Sequence, residues 1–289
     1  MQRSLFAILL LSLSALSNAQ FEVPTELKTT EVAPGIFMIE GADGFAGGNV
    51  GLLVGEERIV LIDDFVEPVS GILLKTAGEI AGRPVDFVIN THVHGDHIGG
   101  NATLAHHGAT IVSHDNIRKR MLADEETDPD GLPILTFSDS VTFHLNGMTA
   151  YVFHVAKAHT DGDAIIHFPD QNVMHSGDAL FNHMFPYIDL DNGGTVDGYI
   201  AAQKKMIEMT DENTKIIAGH GALASRADLE RDLKVLVDGQ AKVKALVDQG
   251  MSADEVVAEN PLAEYHEEYN WAFITTERMT RTLYRDLTE

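Results

Sequence analysis

Short apolar runs alternate along most of the chain with segments whose apolar residues recur at helical spacing. The apolar runs predict strands at 32–39, 49–54, 58–62, 85–90, 109–113, 141–145, 148–154, 164–168, 173–175 and 215–218. Helical spacing predicts helices over 69–81, 98–107 and 115–123, and the pattern is mostly helical beyond residue 197. This alternation of strands and helices is typical of a layered α/β domain.

The first twenty residues follow a different pattern. Arg3 precedes an apolar run from Leu5 to Leu16, and Ser17 to Ala19 places small residues before a cleavage point. This arrangement is typical of a secretory signal peptide, and the run is shorter than the roughly 20 residues that span a bilayer. A membrane anchor or a buried helix is the alternative interpretation of this run, and we favour a signal peptide that is cleaved after Ala19. We therefore expect a signal peptide over 1–19, a single domain over 20–289, and a periplasmic or secreted protein without a membrane partner.

The amino-acid composition limits the classes of partner and of chemistry that this protein can have. Asp and Glu outnumber Lys and Arg by 44 to 20, giving a formal charge of −24. Because such a surface repels phosphate backbones, we expect no nucleic-acid partner. The chain has no cysteine, which excludes disulfides, thiolate metal ligands and cysteine nucleophiles, whereas its 14 histidines point to metal chemistry. The sequence leaves the oligomeric state open.

The densest group of metal-competent side chains directly follows the predicted strand 85–90. The run Thr91-His92-Val93-His94-Gly95-Asp96-His97 alternates two histidines, which in extended backbone project to one side. Gly95 allows a sharp turn, so Asp96 and His97 can begin a helix and face a second metal ion. Since the end of a strand that leads into a helix is where open α/β sheets bind ligands, the run predicts a metal site.

Three later residues of ligand type complete the candidate site. Each has small neighbours and lies near the end of a predicted strand: His159, Asp178 and His220. With the first run they provide five histidines and two aspartates, enough nitrogen and oxygen ligands for two metal ions with room for solvent.

On these residues the chain resembles the metallo-β-lactamase-fold hydrolases, whose His-x-His-x-Asp-His signature stands intact at 92–97. The resemblance implies an α/β fold, a four-layer αβ/βα sandwich of two mixed β-sheets flanked by helices. It also implies that Asp63, at the end of an early strand, supports the metal ligands. The implied ligands are His92, His94 and His159 for one metal, Asp96, His97 and His220 for the other, and Asp178 between them.

The chemistry expected of this site is hydrolysis with two zinc ions, although iron or manganese also suits these ligands. Paired metal ions lower the pKa of a bridging water, and the hydroxide attacks a carbonyl carbon. Asp96 is the predicted catalytic residue, since it can bind a metal and orient the hydroxide. We expect an exported di-zinc hydrolase that opens a cyclic amide or ester in a small-molecule substrate, and a β-lactam is the substrate that we name first.

Other functions of the same fold stay open. Asp178 in a Ser-Gly-Asp setting looks more like glyoxalase II, lactonases and related esterases than like β-lactamases. Phe181 stands where quorum-signal lactonases have Tyr, and export is awkward for glyoxalase II, whose glutathione thioester is cytosolic. A thioesterase, lactonase or other esterase is therefore the alternative. An iron persulfide dioxygenase, and a non-enzyme zinc-binding module, also stay open.

Aromatic and apolar residues after Asp178 are candidates for the substrate pocket, because apolar walls with few polar groups suit small organic ligands. These residues are Phe181, His183, Met184, Phe185, Pro186 and Tyr187, and ordinary core packing is the alternative. The segment 41–49 is interpreted as either a flap over the metals or a plain hairpin turn. Trp271 is interpreted as a core residue of a tail helix.

Overall fold

A computed structural model describes residues 23–289, so the predicted signal peptide lies outside the described residues. The strands are β1 (Leu27–Ala33), β2 (Ile36–Gly41), β3 (Val50–Val54), β4 (Ile59–Ile62), β5 (Phe87–Ile89), β6 (Thr110–His114), β7 (Leu135–Phe137), β8 (Ser140–Leu145), β9 (Met148–His154), β10 (Ala164–Phe168), β11 (Val173–Phe181), β12 (Lys215–His220) and β13 (Ala224–Ser225). The α-helices are α1 (Ser70–Ala81), α2 (Gly95–Ile98), α3 (Asn101–His106), α4 (Asp115–Ala123), α5 (Val196–Met209), α6 (Arg226–Val247), α7 (Ala253–Glu259), α8 (His266–Tyr269) and α9 (Thr276–Thr288). Within 23–289, no helix combines the length and the apolar character needed to cross a membrane.

In the described part of the chain, the strands form two mixed sheets. One has seven strands in the order β1-β2-β3-β4-β5-β6-β7, and the other has six in the order β13-β12-β11-β10-β9-β8. Strands β1 to β4 are antiparallel, whereas β4 to β7 are parallel. In the second sheet, β11 and β12 are parallel and the other neighbours are antiparallel.

The sheets pack face to face, and helices cover their outer faces. Ile62 and Val112 of the first sheet share a core with Val152 and Ile217 of the second. The other face of the first sheet packs on α1 through residues such as Leu73, while α5 covers the second sheet. This arrangement confirms the predicted αβ/βα four-layer sandwich, in which removing apolar side chains from water on both faces of each sheet stabilises the fold.

The predicted elements are largely found, and the differences have local causes. The strand predicted over 32–39 is wrong, because Pro34 and Gly35 form a turn between β1 and β2, with Gly35 at a φ of 75° that favours glycine. The helix predicted over 98–107 corresponds to α3, which begins only at Asn101, because Gly99 and Gly100 form a turn that separates it from α2. Strand β11 extends past the predicted 173–175 to Phe181, because its parallel pairing with β12 continues through the polar Ser-Gly-Asp segment.

Asn49 joins the two sheets beneath the candidate site. Its backbone N–H donates to the carbonyl of Gly219 at 2.6 Å. Its side-chain amide donates to the carbonyls of Ala218 and Gly221 at 2.9 and 2.8 Å. Because these three residues surround His220 in the chain, Asn49 fixes the end of β12 against the start of β3.

Candidate metal centre

The seven predicted ligands lie together at one edge of the two sheets. His92 and His94 follow β5 in a segment that bends at 91–93 and is extended at His94, and Asp96 and His97 lie in α2 directly after it. The second sheet and its loops supply the rest: His159 from the β9–β10 connection, Asp178 from β11 and His220 from the end of β12. Contrary to expectation, Asp178 and His220 lie inside strands rather than just beyond them.

These side chains form two groups in the described part of the chain. The first group is His92, His94, His159 and Asp178, and the second group is Asp96, His97 and His220. In each group, one ligand atom from every member lies within 4.8 Å of the others. The structure therefore gathers all seven side chains, in the two sets that the resemblance implies, while their binding of metal stays a prediction.

Asp178 connects the two groups through its two carboxylate oxygens. Oδ2 lies 3.5 Å from Nε2 of His92 and 3.4 Å from Nε2 of His159, both in the first group. Toward the second group, Oδ1 lies 3.2 Å from Nε2 of His97, and Oδ2 lies 3.5 Å from Nε2 of His220. A single buried carboxylate thus faces histidines of both groups.

The chemistry of the buried atoms fits metal ions. His92 Nε2, His97 Nε2 and Asp178 Oδ1 are buried and have no hydrogen-bond partner among the described residues. Such orphaned polar atoms are rare and costly in a native structure unless another group satisfies them. All three point into the two groups, where nitrogen and oxygen ligands would hold divalent cations.

Hydrogen bonds behind the histidines fix the orientation of their rings. The Nδ1 of His97 lies 2.7 Å from Asp63 Oδ2, and Asp63 also accepts hydrogen bonds from the backbone N–H and hydroxyl of Thr91. His159 donates from Nδ1 to the carbonyl of Tyr187 at 2.7 Å. Contacts of this kind select the tautomer that leaves Nε2 free to bind a metal.

Asp189 also orients a ligand, His94, but it contacts Nε2 of that ring and leaves Nδ1 facing His159 in the first group. Asp189 was missed in the sequence. Its Oδ2 lies 2.8 Å from Nε2 of His94 and accepts a hydrogen bond from the Asn192 amide at 2.7 Å. Arg120 donates in turn to Asn192 and pairs with Asp161. Asp189 lies far along the chain from His94 in a loop that no local motif marks, so no signal in one sequence could identify this contact.

The electrostatics of the centre reflect crowded, buried charges. Burial raises the pKa of Asp178, but the surrounding histidines, led by His97, outweigh it and hold this pKa well below its usual value. Burial lowers the pKa of His97, but the carboxylates, led by Asp178, outweigh it and raise this pKa. Because a histidine must be neutral to bind a metal, a bound cation would take the place of these protons.

A pocket of about 750 Å³ opens onto both groups. Its polar lining comes from His94, Asp96, Asp178, His220, Asp189 and Asn192, and its remaining lining from Gly44, Phe45, Phe181, Tyr187, Trp271, Ala272 and Phe273. Of the six residues proposed for the pocket, Phe181 and Tyr187 line it. The segment 41–49 reaches it through Gly44 and Phe45.

The other proposed lining residues lie elsewhere. Met184, Phe185 and Pro186 line a small cavity between helices, where Phe185 is buried. His183 is half exposed and lies 3.5 Å from Glu268. Trp271 is half buried and packs against a core cluster, as interpreted, but it also lines the pocket. It lies between α8 and α9 rather than in a tail helix, and its indole N–H donates to the carbonyl of Phe185.

Comparisons with known proteins agree with this geometry. The metallo-beta-lactamase superfamily matches residues 43–221. Hydroxyacylglutathione hydrolase of Pelagibacter ubique is 29% identical over 142 residues, which are 46% of this chain and 51% of that protein. Metallo-beta-lactamase type 2 of Bacteroides fragilis is 21% identical, over 74% of this chain and 86% of that protein. The solved metallo-beta-lactamase of Pontibacter korlensis superposes with a TM-score of 0.66 at 18% identity, over 74% of this chain and 100% of that one.

The chain therefore belongs to the metallo-beta-lactamase superfamily, which confirms the predicted family and fold. Similar proteins in this superfamily carry the names of hydrolases. The chain spans about half the length of the hydroxyacylglutathione hydrolases that it matches.

Replacing Asp189 by Asn should weaken zinc binding at the first group by about 10- to 100-fold, because the substitution removes the negative charge that orients His94. Competition with a chromogenic zinc chelator measures this change. The matched control is Asp191→Asn, which alters an exposed aspartate two residues away that pairs with Arg285. Equal zinc affinity in the Asp189 variant and the wild type would refute this role for Asp189.

Proposed function

We propose that the protein is a metal-dependent hydrolase that opens a cyclic amide or ester of a small-molecule substrate, with two zinc ions in the two groups. The observation that carries the proposal is Asp178, whose buried carboxylate faces both groups while three of the buried ligand atoms lack partners. Two metal ions in such a centre supply a Lewis acid for the carbonyl oxygen and a water of lowered pKa.

Asp96 is the chain's own candidate for handling the proton of the attacking water. Its Oδ2 lies 3.3 Å from Nε2 of His220, and its side chain, 23% exposed, reaches the pocket. Burial raises the pKa of Asp96, but His97 and His220 outweigh it and lower this pKa to about 2. The carboxylate is thus ionised near neutral pH and can accept a hydrogen bond from water at the pocket floor.

The aromatic walls of the pocket would hold the substrate and exclude water from the carbonyl. No lysine or arginine is among the residues that line it in the described part of the chain. This lining supports neutral esters and lactones more than β-lactams, which carry a carboxylate. β-Lactam hydrolysis stays a prediction, and thioester hydrolysis remains the alternative that the hydroxyacylglutathione hydrolases suggest.

Export through the amino-terminal segment is part of the proposal. Intact-mass analysis of the protein from the periplasm or the medium should give a chain that begins at Gln20, because Ala19 precedes the expected cleavage point. A chain that retains residues 1–19 in the cell interior would refute export and leave the metal centre untouched.

The activity is tested with zinc-loaded protein on three chromogenic substrates, a cephalosporin, a neutral lactone and a neutral aryl ester. We expect turnover of at least one, and a loss of about 10²-fold or more in His94→Ala, since a ligand of the metal is removed. The matched control is His144→Ala, which removes an exposed histidine of β8 outside the pocket.

The outcome separates the metal centre from other sources of activity. Full turnover in His94→Ala, or equal losses in both variants, would refute the assignment of the site. Absence of turnover on all three substrates would refute the proposed hydrolysis of cyclic amides and esters.

A further inference from the structure

The chain beyond the family match contributes three consecutive residues to the pocket. The match ends at residue 221, whereas Trp271, Ala272 and Phe273 lie between α8 and α9 and line the pocket wall. This wall segment, residues 271–273, therefore lies outside the part of the chain that the family model matches.

The wall segment continues an aromatic surface that begins at the second group. The ring of Phe181 stacks on His220 with centroids 4.9 Å apart. Trp271 lies 6.1 Å from Phe181 and 5.7 Å from Phe273, measured between ring centroids. The indole ring also lies 6.4 Å from the ring of His220, a predicted metal ligand, measured between centroids.

The same surface ends at the first group. Phe273 lies edge-to-face on Tyr187 at 5.3 Å, and Tyr187 stacks on His94 at 5.5 Å. We call the rings of Phe181, Trp271, Phe273 and Tyr187 the aromatic arc. It runs from one group to the other along the pocket, and the wall segment supplies its middle.

Hydrogen bonds and burial hold the wall segment in place. The indole N–H of Trp271 donates to the carbonyl of Phe185 at 2.9 Å. Arg278 donates to the carbonyl of Phe273 at 2.9 Å, and Ile274 is buried directly after it. Phe273 itself is 43% exposed, so its ring offers apolar surface to a ligand rather than to the core.

Charge along the pocket favours neutral ligands. The lining residues outside the two groups include one carboxylate, Asp189, which already pairs with His94. The cation that contacts the arc, Arg278, lies 4.2 Å from the Phe273 centroid and is not among the lining residues. An anionic group held against the aromatic arc, away from the two groups, would therefore lose water contacts without gaining a paired cation among the lining residues.

We propose that the wall segment selects the substrate, favouring a neutral carbonyl compound with an aromatic or similarly large apolar group over a small or anionic one. The proposal rests on the proposed hydrolase function. The apolar group lies against the aromatic arc, which places the scissile carbonyl between the two groups. Aromatic contacts and the removal of apolar surface from water provide the affinity.

The kinetic test uses three γ-butyrolactones that carry a phenyl, a 4-carboxyphenyl or a methyl group. We expect kcat/KM to be about tenfold or more higher for the phenyl compound than for the others. In Phe273→Ala the ratio of the kcat/KM values should fall toward 1, mainly because KM for the phenyl compound rises. Phe273→Leu should retain part of the preference. Ile134→Ala, which removes an exposed apolar side chain outside the pocket, should leave the preference unchanged.

A binding test works without turnover, because Trp271 is the single tryptophan of the chain. Titrating zinc-loaded protein with N-benzylacetamide should change its fluorescence saturably, and Phe273→Ala should weaken this binding about tenfold. Thermal unfolding confirms that the variant is folded. If no lactone is hydrolysed but this binding occurs, the proposed hydrolysis of lactones fails and the role of the wall segment stands.

Two results would overturn the proposal. One is equal binding of N-benzylacetamide by the wild type and folded Phe273→Ala. The other is a preference for the 4-carboxyphenyl lactone that disappears in Arg278→Ala, since Arg278 would then recognise an anion.

Discussion

The contact on which the centre depends is that of the Asp178 carboxylate with histidines from both groups. A carboxylate that is 4% exposed is costly unless positive charge surrounds it, so the site requires protonated imidazoles or metal ions there. The fold makes room for this charge with Gly219 on the neighbouring strand, where a Cβ would lie 2.0 Å from Asp178 Oδ1. The parallel pairing of β11 with β12 brings Asp178 to the same edge of the sheets as His220.

A second layer of contacts holds the histidines in place. Asp63 lies behind His97 and Asp189 behind His94, while Asn49 fixes the backbone on either side of His220. Asp63 keeps its position at a φ of 63°, an uncommon conformation for a residue other than glycine. Backbone strain beside a candidate site is consistent with a geometry that the surrounding packing imposes.

The strongly apolar strands predicted a layered α/β domain, and four ligands close together after one strand predicted the metal site. The four layers and the two groups were implied by the resemblance to the metallo-β-lactamase-fold hydrolases. Sequence-based prediction failed for contacts between residues that are far apart in the chain, and for residues whose surroundings a local pattern does not reveal. The contact of Asp189 with His94 joins segments that are far apart in sequence. The sequence around Trp271 predicts core packing but gives no sign that the same ring also lines the pocket. The turn at Gly35 was missed because apolar residues flank it on both sides.

The central claim, that Asp178 joins two metal ions, is tested most directly by anomalous diffraction at the zinc edge from crystals grown with zinc. The account predicts two anomalous peaks, one in the first group and one in the second group, with the Asp178 carboxylate between them. A single peak, or peaks away from these side chains, would contradict it.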